Sequence, residues 1–430
     1  MPPKKGSGEG SRERWAARLS RVESRNVTCL EDPPPFWTHA SGGTVRDVSG
    51  KEYLDFSGAF GVALAGHRHG LIVDRIREQA GRLVHGMGDI HPPAIKVEFL
   101  EALAAVLPWR SSRTILGLSG SDAVEAALKT AHLATGRPGI IAFEGSYHGL
   151  ALGALAATDR EHFRRPFTAR LADHVRFVPF PSTPAEAASV LGQVSGLLAG
   201  KAPVPVGAVI VEPIQGRAGV RIPPEGFLTQ LAVQARAGGA LLIADEIFTG
   251  MGRTGSLFGC EHDRVIPDLV CLGKALGGGM PLSACCGPRE LMDAWPPSTG
   301  EAIHTSTFLG HPLSCAGGLG FLAVLEEDGL AGRARRLGDY ALGYLKAELE
   351  GSSRVEEVRG RGLMLGVELR RCAGTAAGVG AAALALERGL IVLPAGEAGE
   401  VVELTPPATL THQALESGLQ VLVGVIRSAG

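Results

Sequence analysis

Residues 240–280 read ALLIADEIFTGMGRTGSLFGCEHDRVIPDLVCLGKALGGGM, and the two apolar runs in this stretch decide the fold. ALLIA (240–244) and DLVCL (268–272) are short and almost unbroken, each followed directly by an acid or a glycine. A strand exposed on one face alternates apolar with polar side chains. A strand covered on both faces does not, and such strands belong to mostly parallel sheets. The same kind of run recurs on either side, at TILGL (114–118), GIIAF (139–143), GAVIV (207–211) and LSACC (282–286). Helix-length segments lie between them, among them Asp122 to Thr135 (DAVEAALKTAHLAT) and Gly226 to Ala237. The alternation predicts an α/β domain with helices wound on both faces of a mostly parallel sheet.

The end of the chain reads differently. Residues 313–350 are helical in pattern, VRGRGLMLGVEL (358–369) reads as a hairpin or paired strands, and a helix runs through 375–388. VVELTPP (401–407) is a short strand stopped by Pro406 and Pro407, which lack the N–H a ladder needs. Residues 411–427 are helical again, so this part is expected to form a smaller α+β domain. The expected division is a disordered tail over 1–14, a segment over 15–75 packing with the small domain, a large domain over 76–320 and the small domain over 321–430. The tail, MPPKKGSGEGSRER, is charged and Gly/Ser-rich with no apolar stretch behind it, and does not read as a signal peptide.

Composition narrows the function classes. With 45% of 430 residues hydrophobic and 20% charged, the chain buries a large core. A net charge of −2 leaves no electrostatic footprint for nucleic acid or an anionic membrane, and no apolar run approaches bilayer length. The seven cysteines form no CxxC pair, so neither a zinc site nor a disulfide framework is indicated, and a reducing, cytoplasmic setting is expected.

Among eight lysines only Lys274 follows directly on a buried strand. Burial penalises an ammonium, lowers its pKa and leaves a nucleophilic amine suited to forming an imine; the alternative is a lysine snorkelling from a strand end to solvent. Asp245 closes the neighbouring strand, at the carboxyl end where open α/β sheets bind ligands. An acid there either caps the next turn or pairs with a cation, such as a ring nitrogen that must stay protonated to act as an electron sink. GLSGSDAVEAALK (117–129) is strand, turn and helix, which sets free N–H groups at Gly120, Ser121 and Asp122 and makes either a phosphate site or a plain N-cap. FEGSYHG (143–149) follows another strand and offers Tyr147 to stack on a planar group, or simply to pack, with His148 beside it.

In this order, YLDFSGAFGVALAGH, SGSDAVEAALK, FEGSYHG, VEPIQG, IADEIFTGMGRTG, LGKALGGGMP and HTSTFLGHPLSCAG resemble the class-III (ω-type) aminotransferases over about Phe36 to Leu422. The resemblance implies the α/β architecture of fold-type-I pyridoxal-phosphate enzymes: a mostly parallel seven-stranded sheet in a large domain and a smaller α+β carboxy-terminal domain. It implies pyridoxal 5′-phosphate held as a Schiff base on Lys274, which also shuttles the proton. Asp245 then pairs with the pyridinium nitrogen, Tyr147 and Ile247 cover the two ring faces, and His148 and Glu212 stand close by. Gly120 and Ser121 take the phosphate, joined by Thr307 of a neighbouring subunit, so a homodimer with shared active sites is implied. The implied reaction is ping-pong transfer of an amino group between a small amine or amino acid and a carbonyl acceptor. A racemase or epimerase on the same scaffold is the alternative.

The sequence departs from the family pattern where substrate is recognised. The gate glutamate that ends VEPIQGE is Arg217, and the carboxylate-binding arginine before the Pro-Pro pair is Glu403. Either the ion pair is swapped and simply closes the pocket, or recognition has changed, with Glu403 receiving an ammonium or Arg217 a carboxylate. Phe60 is a further candidate substrate contact. Phe248 stands where a glutamine commonly touches the cofactor, and His311 where an asparagine precedes the proline of GNPL. These departures argue against a routine ornithine or acetylornithine enzyme.

Overall fold

The computed structural model describes residues 11–28, 30, 32–370 and 377–428. Strands β1 (Trp37–Ser41), β2 (Thr44–Asp47) and β3 (Glu52–Asp55) form an antiparallel meander. The central sheet follows, with β4 (Ser112–Gly117), β5 (Gly139–Phe143), β6 (Val175–Val178), β7 (Val206–Val211), β8 (Leu241–Asp245), β9 (Leu269–Leu272) and β10 (Ser283–Pro288). Its seven strands lie in the order β4-β10-β9-β8-β7-β5-β6. All neighbours pair in parallel except β10, which is antiparallel to both β4 and β9.

Successive residues of these strands enter different cores. Ile141, Val209, Leu242, Val270 and Cys286 pack into one cluster, while Ile140, Ile210, Ile243, Cys271 and Cys285 pack into another with the alanine face of helix Gly120–Thr135. Covering on both faces is why the runs are continuous and not alternating.

The third sheet contains β11 (Val355–Arg361), β12 (Met364–Leu369), β14 (Leu393–Ala395) and β15 (Val401–Leu404), all antiparallel in the order β11-β12-β15-β14. Between them in sequence, β13 (Leu390–Ile391) leaves this sheet and pairs in parallel with β3. The early meander and the late residues therefore share backbone hydrogen bonds.

Several expectations need adjusting. Strand β6 (VRFV) was absent from the sequence reading: it is four residues long, pairs only with β5 at the sheet edge, and its Arg176 and Phe177 are only half-buried. The helical stretch 313–350 is two helices, Pro312–Glu327 and Leu330–Leu349, parted at Gly329, whose φ of +57° is left-handed. Helix Arg12–Leu19 begins inside the expected disordered tail, and residues 1–10 of that tail lie outside the described residues. The helix expected over 375–388 spans Ala377–Glu387, with 371–376 outside the described residues. Among the described residues no helix is long and apolar enough to cross a membrane.

Candidate active site

Register brings the site together. Val211 is level with Ala244, and Asp245 with Cys271, so Glu212, Asp245 and Lys274 all emerge at the carboxyl edge of adjoining strands. Lys274 begins a short 3₁₀ turn after β9 with φ of +43°, a left-handed conformation that costs a non-glycine residue about 1 kcal/mol or more. Its amine lies 4.2 Å from the centre of the Phe248 ring. Burial, the largest influence, lowers the Lys274 pKa, and the negative charges of Asp245, Glu403 and Glu212 oppose it.

Asp245 is 3% exposed and satisfied on both oxygens. His148 Nδ1 lies 2.7 Å from Oδ2, and the Ile247 N–H donates to Oδ1 at 3.1 Å. With Asp245 ionised, His148 must carry its proton on Nδ1. Its other ring nitrogen is buried without a hydrogen-bond partner. Glu212 accepts from the Tyr147 N–H at 2.9 Å and the Gly216 N–H at 3.2 Å, tying the loops after β5 and β7 together. Burial raises its pKa to about 7, helped by Asp245 and opposed by His148 and those two N–H groups. Burial also raises the Tyr147 pKa, against the charges of Arg217 and Arg160.

The helix Gly120–Thr135 opens at the same edge. Ser119 and Asp122 form a capping box, so the Asp122 N–H, expected to be free, is taken by Ser119, at 3.3 Å from its Oγ. Gly120 and Ser121, one and two residues into the helix, have no acceptor within it for their N–H groups. Ser121 Oγ accepts from the Leu150 N–H at 3.1 Å, fixing the Tyr147–His148 loop against the helix start. A Cβ at 120 would meet Ile247 Cδ1 at 2.9 Å, so a larger residue there would displace the Ile247 side chain.

The opposite wall comes from the third sheet. Glu403, on β15, is level with Gly366 of β12 and Leu393 of β14 and is 3% exposed. Its Oε2 is buried with no hydrogen-bond partner. Burial raises its pKa to about 7, opposed by Arg217, Lys274 and Arg253 and helped by Glu212. Arg217 is half-buried, and among the described residues no ion pair joins it to Glu403 within 4.0 Å. The swapped-pair expectation is not met in this conformation.

Arg253 is 1% exposed and donates to the carbonyls of Leu363, Pro406 and Gly61, with burial lowering its pKa to about 9. It clamps three loops around the pocket. Phe60 is 59% exposed on a left-handed turn (φ +60°), and Thr307 is exposed; among the described residues no hydrogen bond ties either to the Lys274 cluster. His311 precedes helix Pro312–Glu327 and stacks on His85 at 5.7 Å. Sequence reasoning missed Arg160, which donates to the Arg217 carbonyl at 2.7 Å and to Gly396 O at 3.1 Å. Nothing in DREHFRR marks it out, because its partners are backbone atoms 57 and 236 positions away.

The residues at this edge fit pyridoxal phosphate: a buried carboxylate already held by an imidazole, an amine whose pKa burial lowers, and a capped helix with two open N–H groups. Sheet and site together define a fold-type-I pyridoxal-phosphate transaminase. Residues 30–426 match the family described as Aminotransferase class-III, and the chain belongs to it. It is 38% identical to the acetylornithine aminotransferase of Methanopyrus kandleri, covering 90% of this chain and 93% of that one. The corresponding enzyme of Methanothermobacter thermautotrophicus is 35% identical, with coverage of 91% and 94%. The ornithine aminotransferase of Toxoplasma gondii superposes with a TM-score of 0.88 at 28% identity, covering 98% of this chain and 95% of the other. A PLP-bound amine transaminase from an uncultivated Pseudomonas species gives a TM-score of 0.86 at 27% identity, covering 95% and 98%.

Proposed function

We propose that Lys274 carries the cofactor and acts as the general base of transamination, with Asp245 as the partner of the cofactor's ring nitrogen. The observation that carries this reading is the half-buried Lys274, its amine over the Phe248 ring and in the field of a carboxylate already fixed by His148 and the Ile247 N–H. Pyridoxal phosphate, when bound, supplies an aldehyde for the exchange of amines and a protonated ring that withdraws electrons. As a free amine, Lys274 Nζ takes the proton from the carbon bearing the substrate's nitrogen and returns it at the neighbouring atom. Gly120 and Ser121 hold the phosphate through their N–H groups. Tyr147 and Ile247 cover the ring faces, and Glu212 sets the position of the Tyr147 backbone.

The exposure of Thr307, together with Ile303 (66% exposed) and Phe308 (49%), supports a homodimer in which this segment reaches the partner's site. Small amines and carbonyl compounds are the substrates, in a reducing cytoplasm that suits the five buried free thiols among the described residues. Acetylornithine, the substrate in the relatives' names, is the reference donor. No observation supports the racemase alternative.

Replacing Lys274 with Ala is expected to lower steady-state turnover by at least about a thousandfold. Single-turnover absorbance of the cofactor, followed after addition of the donor, makes the check: retained multiple turnover removes Lys274 from the mechanism. In the wild-type protein, a donor that leaves the cofactor spectrum unchanged while losing its chirality would turn the reading to racemisation.

A further inference from the structure

We propose that Glu403 selects the amino donor, and that the donor is an amine bearing a second ammonium group in place of a carboxylate beside its reacting nitrogen. The inference rests on Lys274 as the cofactor lysine.

Three observations carry it. A buried carboxyl oxygen without a donor is costly, and Glu403 Oε2 is such an atom, near enough to Lys274 for the two charges to act on each other. A ligand ammonium satisfies it, and a ligand carboxylate makes it worse.

Secondly, the backbones that carry Glu403 and Arg217 are each fixed. Strand β15 is paired on both edges, so Glu403 cannot move far toward the loop. The Arg217 carbonyl is gripped by Arg160 Nη1 at 2.7 Å and by the Gly396 N–H at 3.0 Å, and Arg359 holds the carbonyls of Gly219 and Val220. The Arg217 backbone thus stays on its own wall, and its charge, not paired with Glu403, turns a ligand cation toward Glu403.

Thirdly, the wall between them is apolar. Ile214, Val220, Met364 and the half-buried Phe248 form one cluster, and the Phe248 ring fills the space beside Gly216 and Gly61. An alkyl chain suits that surface. Arg253 does not neutralise Glu403 by contact, since both its terminal nitrogens are committed to carbonyls.

The test uses pyridoxal-phosphate-loaded enzyme and three donors: 1,4-diaminobutane, n-butylamine and L-glutamate. The single-turnover rate over concentration is read from the cofactor absorbance, and donor affinity from the concentration at half-maximal rate. The diamine is expected to exceed butylamine ten- to hundredfold, with L-glutamate below both. Glu403→Gln should bring the diamine-to-butylamine ratio within about threefold of unity, and Glu403→Asp should restore part of it. These ratios cancel any general loss of fold or activity. Equal use of diamine and butylamine by the wild type, preference for L-glutamate, or a ratio that survives in Glu403→Gln each overturns the inference. Borohydride reduction of the same sample distinguishes a deeper failure: if no pyridoxal is trapped on Lys274, the assignment beneath falls and takes this one with it.

Discussion

The two walls of the pocket are built on opposite terms. At the carboxyl edge of the central sheet every buried carboxylate is satisfied: Asp245 by His148 and Ile247, Glu212 by Tyr147 and Gly216. On the wall from the third sheet, Glu403 has an oxygen without a donor, and Arg253 a buried nitrogen without an acceptor. The carboxylates of the first wall are satisfied before anything binds, while the His148 Nε2 and the Gly120 and Ser121 N–H groups stay open, which suits a group that stays. The second is left incomplete, which suits ligands that come and go and complete it in passing.

Substitutions at the two walls should therefore fail in different ways. The largest effect belongs to Asp245→Asn, which keeps the shape but gives up the charge that holds a ring nitrogen protonated. Turnover should fall by about a hundredfold to a thousandfold, with weaker cofactor retention on dialysis. A variant within about threefold of wild type on both readouts would show that the first wall does not depend on this charge.

An intermediate effect concerns stability and separates the walls by pH. The Glu403 carboxyl is raised from 4.5 to about 7 in the folded protein, so the folded state holds its proton where the unfolded chain has lost it. The associated stability is complete below about pH 4.5 and disappears as pH rises through about 7. Glu403→Gln cannot ionise, so the cofactor-free variant should gain on wild type over that range, by about 1–3 kcal/mol at pH 8 and almost nothing at pH 4. Thermal denaturation at the two pH values provides the measurement, and a pH-independent difference would mean that Glu403 is adequately satisfied after all.

The smallest expected effect is in specificity. Glu403→Arg places a bidentate carboxylate receiver on the second wall, and the ratio of L-glutamate to n-butylamine use should rise about tenfold. An unchanged ratio would remove Glu403 from recognition while leaving the first wall untouched.

Legibility in the sequence follows the same division. Lys274 and Asp245 were readable because each stands within two residues of the end of a continuous apolar run, and all six such runs end within two residues of an observed strand end. The capping box was half-readable: Ser119 and Asp122 are in the pattern, but which N–H groups remain open depends on which the cap consumes. Strand β6 was hidden because an edge strand of four residues with two half-buried side chains carries little pattern. Arg160 was hidden because it acts through two distant carbonyls.

By itself the sequence determined the doubly covered sheet, the strand ends that bear the amine and the acid, and the family, since burial on both faces and local turn chemistry are written in consecutive residues. Tertiary structure alone decided that Arg217 and Glu403 form no ion pair. Whether two opposite charges meet depends on the separation of two backbones, one in a sheet and one in a strapped loop, and no spacing along the chain encodes that distance.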